Sequence, residues 1–191
     1  MTTAEPRRLH PAVRTARPED VARILELIVD LATYERAADQ VHATLDQLRT
    51  ALFGPQPAVF ALVACARSAE VVGFALYFCN FSTWEGVHGI YLEDLYVAPE
   101  ARGLGLGKAL LQSLAATAVD RGYARFEWSV LNWNQPSIDF YRAMGAEPMT
   151  EWTTFRLTGS ALEAAAATLT EPGPVIAESP TSAAADGHSG P

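Results

Sequence analysis

Cysteine is nearly missing from this 191-residue chain, which has only Cys65 and Cys79 and no CxxC pair. A disulfide framework is therefore not expected. Both thiols sit in apolar runs and read as buried free cysteines in a reducing cytoplasm. The four histidines, His10, His42, His88 and His188, are scattered without metal spacing, so no metal is expected. Positive charge is scarce: 14 basic against 22 acidic side chains leave a net charge of -8. That balance argues against nucleic-acid binding. It is compatible with a cationic small substrate, but solubility alone is the preferred reading of the charge. No apolar run approaches the ~18 residues of a membrane-spanning helix. The opening MTTAEPRRLHP has no apolar stretch after its basic residues, so it does not read as a secretory signal.

What is present is a globular composition, 49% apolar and 19% charged. Residues 1–11 read as a mobile tail. Residues 170–191, TEPGPVIAESPTSAAADGHSGP, have no aromatic residue and cannot bury enough surface to offset their ordering entropy. The expected folded domain is 12–169. Within it, Val13–Ala16 reads as a short strand. Pro18, Glu19 and Asp20 suit a first helical turn, and Val21, Ile24, Leu25, Ile28 and Leu31 follow at helical spacing. A second helix is expected at Leu45–Leu52 and a hairpin from Ala58–Ala66 and Val71–Phe78. Phe81–Gly89 reads as a polar, aromatic loop. Ile90–Val97 reads as a strand, Leu104–Arg121 as a helix, Arg125–Leu131 as a strand and Pro136–Met144 as a short helix. Trp152–Leu157 is expected to be a last strand and Ser160–Leu169 a terminal helix. This alternation predicts an α/β (α+β) layout, a mixed sheet covered by helices.

The most informative stretch is LEDLYVAPEARGLGLGK, residues 92–108, where a strand runs through a glycine turn into a helix. Gly103, Gly105 and Gly107 let backbone approach a ligand closely. Free N–H groups and the positive dipole end of the helix favour phosphate. Arg102 and Lys108 add positive charge. The combination reads as a pyrophosphate cradle. A Walker loop is excluded, because Arg102 stands where its first glycine belongs and Ala109 replaces its hydroxyl. The dinucleotide fingerprint fails too, since the spacing is GxGxG and no early βαβ unit precedes it. A plain glycine-rich turn without a ligand is the alternative.

The segment VAPEARGLGLGKALL resembles the acetyl-CoA pyrophosphate loop of the GNAT N-acetyltransferases, whose Gln/Arg-x-x-Gly-x-Gly/Ala signature is met by Arg102, Gly105 and Gly107. LATYERAADQV, VVGFALYF, TWEG, YLEDLYV, NWNQPSIDFYRAMGA and EWTTFRL resemble the spermidine/spermine branch of that superfamily, so the likeness spans about residues 12–169. It implies a GNAT fold, a mostly antiparallel mixed sheet with splayed central strands. It also implies a homodimer, and acetyl transfer from acetyl-CoA as cosubstrate to a primary amine of a small diamine or polyamine. Relatives of this branch also accept lysine-like and thialysine compounds, so an amino acid or protein amine is the alternative acceptor. A non-catalytic acetyl-CoA-binding module is the remaining reading.

The reaction needs a neutral amine, a stabilised carbonyl oxygen and a proton for the leaving thiolate. By resemblance Tyr141, in NQPSIDFY, is the general acid; without the resemblance it reads as a core aromatic beside Phe140. Glu93 and Asp94 are consecutive, which on a regular strand sends their side chains to opposite faces. Two acids in an apolar strand are costly unless solvated, paired or used. By resemblance Glu93 helps deprotonate the amine, through water or directly. Asp94 reads equally as a substrate contact or a buried structural partner. Backbone around Leu95, Tyr96 and Val97 is expected to face the thioester and pantetheine arm. Arg102, Gly103, Leu104, Gly105, Leu106, Gly107 and Lys108 would hold the diphosphate. Asn134 and Ser137 would touch coenzyme A on its other side, and also suit helix capping. Tyr34 and Glu35 of the TYE motif, with Trp84, Glu127, Trp128 and Glu151, would add aromatic and acidic walls for a cationic amine. Trp84 and Trp128 read equally as packing residues.

Overall fold

The structure, a computed structural model, describes residues 8–167. The expected tail at 170–191, and residues 1–7 of the expected N-terminal tail, lie outside the described residues. The chain divides into two compact units, one ending at Ile138 and one beginning at Asp139.

The first unit opens with β1 (Val13–Thr15). Arg14 on this strand donates twice to Asp20, Nη1 to Oδ2 at 2.6 Å and Nη2 to Oδ1 at 2.9 Å. The Arg17 backbone N–H adds a third bond to the same carboxylate at 2.7 Å. Asp20 is buried, and the Arg14 hydrogen bonds hold its carboxyl below the usual carboxylate range. This knot fixes the single turn Pro18–Asp20 from which α1 (Val21–Tyr34) departs. Val21, Ile24 and Leu27 on α1 are 0% exposed, as helical spacing of the apolar residues requires. The helix ends in a Schellman turn: Arg36 N–H donates to Thr33 O at 3.1 Å and Ala37 N–H to Ala32 O at 2.8 Å. That turn needs a left-handed residue, and Arg36 takes the role usually given to glycine, with φ +63°. Helix α2 (Leu45–Phe53) starts on a capping box in which Gln47 N–H donates to the Thr44 hydroxyl and Thr44 N–H to Gln47 Oε1.

A five-stranded sheet follows in the order β1, β2 (Phe60–Cys65), β3 (Val71–Ser82), β4 (Val87–Val97), β5 (Phe126–Trp128). The first three pairings are antiparallel and β4–β5 is parallel. Ala61, Val63, Phe74, Leu76 and Tyr96 join the buried cluster under α1. The alternate residues Leu62 and Ala75, at 0% exposure, face the other side. There α3 (Leu106–Asp120) packs on β2, β3 and β4, with Leu110, Leu111 and Leu114 buried. The expected α/β layout is thus present.

Several boundaries differ from the sequence reading. The expected loop at Phe81–Gly89 is mostly strand: β3 and β4 pair out to Ser82↔Val87, leaving only a tight turn closed by Gly86 N–H on Ser82 O at 2.8 Å. Ladder bonds are made by backbone, so polar side chains at this end do not end the strands. Helix α3 starts at Leu106 rather than Leu104, because Gly105 is left-handed at φ +78°. Strand β5 is three residues, shorter than Arg125–Leu131.

Helix α4 (Gln135–Ala143) runs across the division between the units, and α5 (Gly159–Ala167) lies in the second. The expected strand Trp152–Leu157 is not formed among the described residues: the segment has no ladder partner, and Trp152 and Phe155 are 68% and 91% exposed. Strand propensity has no effect without a neighbouring edge to bond. Among the described residues no helix is long and apolar enough to cross a membrane.

Asp20→Ala leaves the Arg14 guanidinium without its partner and should lower stability in urea by about 2–3 kcal/mol. The Asp20 pKa is depressed on folding, so its contribution is present above about pH 4, the unfolded value. It is lost as pH falls through the lower folded value. The wild-type chain should lose stability over that window and the variant should not; identical pH profiles would contradict this role.

Candidate active site

Strand β4 changes neighbours along its length. Ile90, Tyr91 and Leu92 pair with Phe126, Glu127 and Trp128 of β5, and there the parallel ladder stops. From Glu93 to Val97 the strand continues against β3 alone, so its far edge has no strand partner among the described residues. At the same point the β3–β4 register slips: Tyr77 faces Leu92, Leu76 faces Asp94, and Glu93 faces nothing. Glu93 is the extra residue of a β-bulge. The expected strict alternation of Glu93 and Asp94 therefore gives way to a local break, with Glu93 exposed and Asp94 largely covered beside Leu76.

Asp94 carries the clearest electrostatic signature in the unit. Burial pushes its carboxyl up to about 6, and the neighbouring charges of Glu93 and Glu35 push in the same direction. Burial also raises Glu35, the residue after α1. Three acids from the α1 terminus and the bulge thus crowd together.

Four residues past the bulge, at Val97, β4 ends and the chain enters the glycine turn. Ala98 and Ala101 are buried and anchor the short Pro99–Ala101 turn. Gly103 and Gly105 have φ of +77° and +78°, with open space where a Cβ would project. Gly105 offers no side chain to cap α3, and the first turn of that helix contains no acid. The amides of Leu106, Gly107 and Lys108 therefore have no intrahelical acceptor and point with the positive end of the dipole. Such a cradle fits an anion.

Arg102 borders this turn. Its Nε donates to Val97 O at 2.9 Å, and its guanidinium lies over the rings of Tyr96 at 5.3 Å and Tyr34 at 5.5 Å. The Tyr34 hydroxyl donates to Asn134 Oδ1 at 3.1 Å, and its ring stands 5.9 Å from Trp133. Asn134 is buried and its Oδ1 also accepts the Ser137 N–H at 3.4 Å, the capping contact expected of it. Arg36 covers the other part of Trp133 at 5.6 Å.

The remaining predicted residues are more dispersed. Trp84 sits in the β3–β4 turn at 88% exposure and touches no core. Glu127 on β5 is not an open acidic wall: its Oε2 accepts from Asn80 Nδ2 and from Arg125 Nε, both at 2.8 Å. Trp128 packs against Phe126 at 4.9 Å. Tyr141 lies on α4, half-buried, with its ring 5.4 Å from Phe140. Glu151 is exposed in the second unit. Sequence reasoning passed over Arg36, Trp133, Asn80 and Arg125. Trp133 adjoins Asn134 and could have been flagged by that position; the other three carry no local signal.

The acetyltransferase (GNAT) family profile matches residues 21–146. The chain is a GNAT acetyltransferase. As such it is an enzyme of the N-acetyltransferase class. A thialysine N-epsilon-acetyltransferase from Bos taurus is 41% identical over 160 residues, covering 78% of this chain and 94% of that protein. The human spermidine/spermine N(1)-acetyltransferase-like protein 1 is 33% identical over 153 residues, covering 75% of this chain and 22% of its own much longer length. Among solved structures, an integron cassette protein from the V. cholerae mobile metagenome superposes with a TM-score of 0.68 at 25% identity, covering 81% of this chain and 96% of its own.

If ionised Asp94 holds the cationic amine, kcat/KM for the amine should fall as pH drops through about 6, where the carboxyl takes up a proton. Asp94→Asn should lower kcat/KM and remove that acid limb. A limb unchanged in the variant would assign it to another group.

Proposed function

We propose that this GNAT acetyltransferase moves the acetyl group of acetyl-CoA onto a primary amine at the end of a short aliphatic chain, and that a lysine-like diamino acid is its acceptor. The observation that carries the reading is the crowding of Glu35, from the end of α1, with Glu93 and Asp94 on the strand that leads into the uncapped glycine turn. One element thus carries attraction for an ammonium and a cradle for an anion.

The glycine turn fits the cosubstrate: open φ-positive glycines, unbonded helix amides, and an arginine that holds no ion pair among the described residues. Residues 102–108 would hold the diphosphate, and the free edge of Leu95–Val97 would bond the arm and the acyl oxygen. When bound, acetyl-CoA supplies an acyl group activated as a thioester. The acids draw in the ammonium, and Glu93, exposed at the bulge, takes its proton directly or through water. Tyr141 holds the proton for the departing sulfur, in line with the family resemblance. Asn134 and Ser137 fix the start of α4, the helix that carries Tyr141.

Two observations favour a diamino acid over a longer polyamine. Relatives that align with this chain over most of their own length include thialysine acetyltransferases and an ornithine acetyltransferase. Glu127, which would hold a distant second cation, is already paired with Arg125. The diamine or polyamine reading retains support from the three-acid cluster and the spermidine/spermine-like relative. We also propose a homodimer, on the family resemblance, and a cytoplasmic location, with which two free cysteines are consistent.

A panel of thialysine, lysine, ornithine, putrescine and spermidine, read by thiol release, separates the acceptors. The highest kcat/KM should belong to a diamino acid; preference for spermidine would select the polyamine reading. Tyr141→Phe should lower kcat about 10²-fold while coenzyme A affinity stays constant. Unchanged turnover at saturating substrate would remove Tyr141 from the chemistry. Light scattering should give twice the chain mass of 20.6 kDa.

A further inference from the structure

We propose that Tyr34 is a positioning residue for the cosubstrate loop, acting through Arg102, rather than a wall of the amine site. This rests on the reading of the glycine turn as a diphosphate cradle. Tyr34 belongs to α1, a long way in sequence from that turn, and from its motif alone it is expected to touch the amine. Its polar and aromatic parts are instead both committed elsewhere. The hydroxyl donates to the buried Asn134 at 3.1 Å, and the ring supports the Arg102 guanidinium at 5.5 Å. Tyr96 supplies a second ring at 5.3 Å, and Val97 O accepts the Arg102 Nε at 2.9 Å.

The guanidinium is thus pinned by two rings and one carbonyl beside the turn it would serve. An exposed arginine ordinarily loses rotamer freedom when it grips a ligand. Here that ordering is already done, so a diphosphate meets a preformed fork. The Tyr34–Asn134 bond links this brace to the start of α4, and the ring of Trp133, 5.9 Å away, keeps the phenol from swinging out. Removing the ring frees the arginine without touching the loop backbone. Tyr34→Phe keeps the ring and loses only the hydroxyl.

Calorimetry with coenzyme A, in the absence of amine, tests this without turnover. Tyr34→Leu should weaken coenzyme A binding about fivefold, within the range of one cation–π contact at a surface. Tyr34→Phe should bind within about twofold of the wild-type chain. At saturating acetyl-CoA the amine KM of Tyr34→Leu should stay close to wild type. In a double-mutant cycle, Tyr34→Leu should add no further loss once Arg102→Ala is present, because it acts through that side chain. A general folding defect would instead weaken binding in both backgrounds and would overturn the proposal. So would coenzyme A binding by Tyr34→Leu equal to wild type, or a rise in amine KM alone. If the wild-type chain bound no coenzyme A, the cradle reading itself would fall, and this inference with it; failure of the variants alone leaves the cradle reading intact.

Discussion

Strand β4 has to satisfy its backbone on two sides, and past Leu92 only one side has a strand partner among the described residues. The β5 ladder ends at Leu92↔Trp128, while β3 continues to Val97. Everything proposed for the site follows from that mismatch. The unpaired edge leaves main-chain groups for a ligand's amides and acyl oxygen. The bulge at Glu93 turns one acid outward and leaves the next against Leu76. The strand then delivers the chain to the glycine turn, whose left-handed residues aim the first amides of α3 into open space. A strand edge without a ladder partner offers N–H and C=O groups to which an extended ligand could bond.

The electrostatics bear out the same geometry. Acids on an apolar strand resist ionising when water is removed, and Asp94 shows it through a carboxyl raised to about 6 by burial and by its two acidic neighbours. An ammonium arriving there relieves the repulsion among Glu35, Glu93 and Asp94. Glu127 makes the opposite case. Its carboxylate is satisfied by Arg125 and Asn80, and it has no such unrelieved charge to offer. The two ends of the sheet face are therefore not equivalent toward cations, although the sequence shows an acid at each.

Much of this was legible in the letters, for physical reasons. The spacing of Val21, Ile24 and Leu27 specifies a helix face because burial follows the 3.6-residue period, and all three are fully buried. The glycine turn between Arg102 and Lys108 was legible as a turn because Gly103 and Gly105 adopt left-handed angles that only glycine takes without strain. The β-bulge was not legible: register depends on what the neighbouring strand presents, and no residue at 93 demands a slip. Arg36 was hidden for the same reason, since a left-handed arginine looks like any surface cation. Trp152–Leu157 has the aromatic and threonine-rich composition of a strand, but propensity cannot supply an edge to pair with. The role of Tyr34 depends on contacts to Arg102 and Asn134, 68 and 100 positions along the chain, and no local pattern encodes them.

The overhang of β4 has a cost that its acids help to contain. An unpaired strand edge is a template onto which another polypeptide can add, and proteins commonly blunt such edges with bulges and charges. Glu93 and Asp94 place both devices at the first residues of the exposed stretch. The carboxylates that would draw in a small amine thus also repel extended segments of foreign chain.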